Sequence, residues 1–182
     1  MNLQPKAENY FKQIEEIYNR EIKNGTSIID IANMLTEIVP AHEFSVVSKV
    51  HISEKILTLF TKEQRKDLAT ELLEEQVIRQ RKKLNHWSTI TAQSAQIDTG
   101  YIAQHLVSLQ TQIPGQGMRG KGDDLCDGSE VKSANFLDSM DKKGAVAPRW
   151  NFTAVTKAIM ERFLEYPSVY LLSMDLNSDN KF

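Results

Sequence analysis

Cysteine is almost missing from this 182-residue sequence: Cys126 stands alone, so no internal disulfide can form, and one Cys with four scattered His residues gives no zinc-ligand spacing. Long apolar runs are missing as well. No segment approaches the ~18 residues of a membrane span, and the N-terminal MNLQPKAENYFKQIEEIYNREIK is charged throughout where a secretory signal would be apolar. These absences predict a cytoplasmic protein without a membrane partner. An excess of charge of one sign is also lacking. A formal net charge of -2 and an isoelectric point near 6.1 exclude nucleic-acid binding through bulk positive charge and leave a local basic cleft as the only such route. Glycine is scarce in the first half: seven of the eight lie after residue 99, five of them between 115 and 128, so unusual backbone is expected in the second half. No internal repeat or low-complexity segment is present.

What is present suits one well-filled core, with 41% hydrophobic and 25% charged residues. Up to Leu84 the pattern is helical. Phe11, Ile14, Ile17 and Tyr18 share one face, Ile28, Ile31, Leu35 and Ile38 another, and NGTSIID between them offers a Gly25 stop and a Ser27/Asp30 capping box. Pro40 ends the second helix, and FSVVSKVHI is ambiguous between strand and helix. Thr61 can cap a long helix carrying Leu68, Leu72, Leu73 and Val77. It ends in RQRKKL, readable as a solvated helix end or as a phosphate contact. The polar STITAQSAQIDTG then reads as a connector, giving a helical region over 1–90 and a second region over 91–182. There Ile102, Leu106, Leu109 and Ile113 make a helical stripe, Val155, Ile159 and Phe163 mark another helix, and YPSVYLLSMDL reads as a buried strand.

Gly115 to Asn135, GQGMRGKGDDLCDGSEVKSAN, resembles three sites at once. Gly115, Gly117 and Gly120 fit G-x-G-x-x-G, and Gly115, Gly120 and Lys121 fit a P-loop except for Gly122 in place of Ser or Thr. Both motifs need a strand before the glycines and a helix after them, and the order here is reversed. The third reading is a set of carboxylates, Asp123, Asp124 and Glu130, with Lys132. Asp127-Gly128 predicts a two-residue type I′ turn, which would pair Cys126 with Ser129, Leu125 with Glu130, Asp124 with Val131 and Asp123 with Lys132. Asp123, Glu130 and Lys132 then share a face, and Cys126 is expected as buried strand filler. With the Val131 carbonyl, such acids can bind Mg²⁺ for phosphodiester hydrolysis, while Lys132 orients water or counters phosphate charge. Spacing alone leaves a plain salt-bridged hairpin equally open. Arg119 and Lys121 flank the acids as candidate phosphate contacts; Arg149 and Asn151, around Trp150, could meet phosphate or a base edge, or simply accompany a packed aromatic. His105 reads as a structural histidine.

GKGDDLCDGSEVKSAN, with PRWNF after it, resembles the type II restriction endonucleases of the PD-(D/E)xK superfamily, and within them the group typified by MamI. The resemblance covers roughly Thr99 to Asn151, with a weaker fit of the helix and strand that follow, and nothing specific is matched before residue 90. It implies that Glu130 is the second metal-binding acid and Lys132 the catalytic lysine, with Ser133 and Asn135 matching a Ser-x-Asn that often follows the lysine. The first acid stays open: hairpin geometry selects Asp123, alignment of the DDL string selects Asp124, and a β-bulge could bring either one in. Gly122 stands where the superfamily has Pro, and Ala103-Gln104 where related enzymes can carry another acid. The resemblance implies an α/β fold, a helical N-terminal region followed by a mixed sheet flanked by helices, and Mg²⁺-dependent, site-specific cleavage of double-stranded DNA by a homodimer in a restriction-modification system. Only one helix and one strand are legible after the motif, so a C-terminally incomplete core is expected. A truncated non-catalytic remnant, a DNA- or protein-binding module, or a structure-directed repair nuclease are the alternatives.

Overall fold

The structure, a computed structural model, describes residues 5–38, 45–93, 97–117, 123–135, 150, 152 and 156–174. Helix α1 (Pro5–Asn24) turns a stripe inward around the fully buried Ile14, with Phe11, Ile17 and Tyr18 beside it. It stops where Gly25 takes φ +75 and Thr26 N–H returns to the Glu21 carbonyl at 3.1 Å, a left-handed cap that favours glycine. The next helix, α2 (Ile28–Glu37), starts with Ser27 Oγ accepting from Asp30 N–H at 3.2 Å and buries Ile31 and Leu35. From Ser45 on, the stretch FSVVSKVHI is helical: α3 (Val46–Leu59) is capped by Ser45, and Ile52 and Ile56 meet the first core at helical spacing.

Thr61 and Gln64 form the capping box that opens α4 (Lys62–Leu73). The chain passes through a π-helical turn (Glu74–Ile78) into α5 (Arg79–Thr91). Helix thus extends as far as Thr91 into the stretch expected as connector, where Ser88, Thr89 and Thr91 satisfy their hydroxyls on the Leu84, Asn85 and Trp87 carbonyls. The run ends at Ala92 in the left-handed region. No side chain of α5 is buried, and Arg79 of the basic cluster pairs with Glu74 at 3.6 Å.

A second core combines Ala69, Leu73 and Val77 with Ala103, Leu106 and Val107 of α6 (Gly100–Thr111), and with Leu125, Val131 and Met174. Helix α4 therefore serves both cores, with Leu68 on the first and Ala69 and Leu73 on the second. Beyond α6 come β1 (Glu130–Asn135), α7 (Lys157–Phe163) and β2 (Val169–Met174). The strands pair in parallel from Glu130↔Val169 to Asn135↔Met174, as a strand–helix–strand order allows. Among the described residues this two-stranded ladder and an antiparallel Gly115–Leu125 bridge are all the sheet there is. The architecture is α/β and mostly helical; the described sheet is narrower than expected. Nor is β2 a buried strand: Tyr170, Leu172 and Met174 face the core, whereas Leu171, on the other face, is 53% exposed. No described helix is long and apolar enough to cross a membrane.

Candidate active site on strand β1

The turn before β1 departs from the expected hairpin. Gly128 N–H bonds the Leu125 carbonyl at 3.1 Å and Leu125 N–H bonds the Ser129 carbonyl at 3.1 Å, which makes a three-residue loop of Cys126, Asp127 and Gly128 with the glycine at φ +89. Leu125 faces Ser129, and the pairs Cys126–Ser129, Leu125–Glu130, Asp124–Val131 and Asp123–Lys132 do not form. The cause lies in Asp127. A type I′ turn would force it to positive φ, a strain for a residue with a Cβ, and among the described residues only Ala92 and Gln112 are non-glycines there. Instead Asp127 stays on the favoured side and its carboxylate accepts from Ser129 N–H at 2.9 Å and Ser129 Oγ at 3.0 Å. Cys126 is consequently exposed in the loop instead of filling a strand, and partial burial, then the neighbouring Asp127 and Glu54 charges, push its thiol up. The strand partner of β1 is β2, beginning with Glu130 N–H on the Ser168 carbonyl at 3.0 Å.

The two candidate first acids diverge. Asp124 turns toward α6: Oδ1 accepts from Gln104 Nε2 at 2.6 Å and Oδ2 from Val131 N–H at 2.8 Å, so its carboxylate is pinned beside the residue between Glu130 and Lys132. Gln104 thus occupies the helix position where an acid was looked for. Asp124, Val131, Lys132 and Ser133 line an open cleft of about 320 Å³ together with Asp98 and with Gly100, Tyr101 and Gln104 of α6. Asp123 turns instead toward α7, where Arg162 Nη2 reaches its Oδ1 at 3.2 Å.

Glu130 is buried, and Lys132 Nζ donates to its Oε1. Its Oε2 is buried without a hydrogen-bond partner among the described residues. Such an orphan is costly unless something outside the chain satisfies it. Among the described residues no three His, Cys, Asp or Glu side chains gather into a metal-sized cluster, so these acids would supply at most two carboxylates to one ion. Arg119, Lys121, Arg149 and Asn151 lie outside the described residues, as does the side chain of Asn135; Ser133 is half-buried in the cleft wall. Trp150 donates its indole N–H to the Leu172 carbonyl at 3.0 Å, the packed-aromatic arrangement, and His105 is exposed on α6.

Two residues join the site that sequence reasoning missed. Arg162 bridges Asp123 and lies 5.8 Å from the centre of the Tyr166 ring. The hydrogen bond to Asp123 first, then Tyr166 and, more weakly, the Asp123 and Glu130 charges hold the guanidinium more firmly protonated. Burial first and Glu130 next push the Tyr166 hydroxyl up. No local motif marks this pair: Arg162 is 39 residues from Asp123 and reads in sequence as the basic last turn of a helix.

Glu130 and Lys132 thus pair on the first strand of a parallel β-α-β order, beside a polar cleft, within an α/β framework. The model of the MamI restriction endonuclease family matches residues 86–182, just over half of the chain, and the chain belongs to that family. It is 48% identical over 102 residues to the type II restriction enzyme MamI of Microbacterium ammoniaphilum, an overlap of 56% of this chain and 32% of the relative. The chain thus spans about a third of the length of that curated relative. No solved structure matches it.

Proposed function

We propose that this chain carries the cleavage site of a type II restriction endonuclease, hydrolysing phosphodiester bonds of double-stranded DNA with Mg²⁺, and that β1 is the Glu-x-Lys strand of a PD-(D/E)xK core. One observation carries the reading: Glu130 keeps a buried, unpartnered Oε2 next to the Lys132 ammonium, while Asp124 is fixed at Val131 between them. These donors fit a hard cation. Glu130 Oε2, a carboxylate oxygen of Asp124 and the Val131 carbonyl would hold it, since each Asp124 oxygen, though hydrogen-bonded, keeps a second lone pair. Asp124 is therefore preferred to Asp123 as first acid. When bound, the ion would polarise the phosphate and ease deprotonation of the attacking water.

The chain's own groups do the remaining work. Lys132, in the cleft wall, places a positive charge where negative charge grows on the phosphate and hydrogen-bonds the incoming water. Gln104 holds Asp124 in one orientation. Ser133 in the cleft wall, with Asn135, Arg119, Lys121, Arg149 and Asn151, contacts DNA, and a homodimer brings a second site to the other strand.

Cleavage of a mixed-sequence plasmid with Mg²⁺, comparing the native chain with Lys132→Ala, tests this. Discrete fragments that fall on the order of 10²-fold or more in rate in the variant support the proposal. A folded native chain that binds DNA and leaves it uncut favours the second reading, a non-catalytic DNA-binding module, which the lack of a three-acid cluster among the described residues keeps in play.

A further inference from the structure

Arg162 has no role in the acid–lysine scheme, yet it sits on it. We infer that Arg162 is a phosphate-binding residue of this site, held in reserve by Asp123 until a phosphodiester group displaces that carboxylate; this rests on the DNA-cleavage reading above. Asp123, Asp124 and Glu130 put three carboxylates on and beside the start of β1, and Lys132 is already engaged with Glu130. Among the described residues Arg162 is the other cation paired with these acids, and its charge offsets part of their repulsion of a polyanion before any metal ion arrives. Its geometry suits the task. The bond to Asp123 at 3.2 Å uses one of five guanidinium donors, the side chain is 53% exposed, and the Tyr166 ring supports the planar group. The ring is itself braced edge-on by Phe163, with centroids 5.5 Å apart. A half-exposed ion pair is weak and exchanges readily for a phosphate oxygen, which a guanidinium binds in a forked, charge-assisted manner. Asp123 is then the partner that keeps the guanidinium aimed at the cleavage site when no DNA is present.

The test is binding of a short fluorescein-labelled, mixed-sequence duplex by anisotropy, across a salt series, in EDTA and again with Ca²⁺. The proteins are the native chain, Arg162→Ala, Arg162→Gln and Asp123→Asn, each checked for folding by circular dichroism. Arg162→Gln retains a donor for Asp123 and so separates charge from scaffolding. We expect both Arg162 variants to bind more weakly and to lose about 0.9 from the slope of log K against log salt, as one lost phosphate contact requires. Asp123→Asn, which frees the guanidinium and removes a repulsive charge, should bind at least as tightly as the native chain with an undiminished slope. Native-like binding by Arg162→Gln, or weakening by Asp123→Asn to match Arg162→Ala, would reduce Arg162 to a pin for the loop and overturn the inference alone. A native chain that fails to bind the duplex at any salt overturns the inference together with the DNA reading beneath it.

Discussion

At the scale of single residues, the site depends on one backbone choice. Gly128 alone in its loop takes positive φ, and that choice puts Leu125 opposite Ser129 and leaves Asp123 and Asp124 to diverge toward α7 and α6. A Cβ at Gly128 would meet Pro167 at 3.6 Å, an ordinary contact, so the cost of Gly128→Ala is the left-handed backbone itself, about 1–2 kcal/mol. Urea unfolding should show that loss, with a drop in DNA cleavage at least as large because the loop also aims both acids. A variant as stable and active as the native chain would mean that the loop does not set the site. The sequence announced a turn at Asp127-Gly128 but left Cys126, the third loop residue, in the strand. It misplaced the register because Asp-Gly serves two loop types, and the Asp127 bonds to Ser129 that decide between them involve a three-dimensional choice of φ.

At the scale of elements, most helices were legible because they announce themselves locally, whereas α3 was ambiguous with a strand and the last turn of α5 was read as connector. The Ile14, Ile31, Leu106 and Thr61 positions follow from spacing and caps that act within a few residues. Strand pairing was not legible: β1 finds β2 across more than thirty residues in sequence, and no periodicity encodes that parallel register. The same limit hid Arg162 and Tyr166. What fixes β1 against the helical layer is α6, whose fully buried Ala103 allows close approach and so lets Gln104 reach Asp124 at 2.6 Å. Ala103→Leu inserts volume where none is free. It should cost about 1–3 kcal/mol by overpacking and weaken cleavage more than the stability loss explains, since the helix must withdraw from the acid it orients. Thermal melts paired with rates at a temperature where both proteins are folded would check this; unchanged rates would detach α6 from the site.

At the scale of the whole molecule, the two cores are joined by more than chain continuity. Arg65, buried on α4, donates Nε to the Leu109 carbonyl at 2.7 Å and Nη1 to the Phe60 carbonyl at 2.5 Å. One guanidinium thereby caps the C-terminal ends of both α3 and α6, and Gln112 Nε2 adds a bond from the end of α6 to the Leu57 carbonyl at 3.1 Å. Helix α4 also gives Leu68 to the first core and Ala69 and Leu73 to the second, so neither core is complete without it. The helical layer and the site-bearing layer should therefore unfold together. Far-UV circular dichroism weights the helical layer, whereas Trp87 and Trp150 report from α5 and from the edge of β2. In the native chain the two signals should give coincident urea transitions, the mark of a single cooperative unit. Arg65→Met leaves two helix-end carbonyls without their charged donor at a cost of about 3 kcal/mol, and its two signals should separate as the layers lose their bolt. Separate transitions in the native chain would show instead that the layers are independent and that Arg65 merely fills a gap between them.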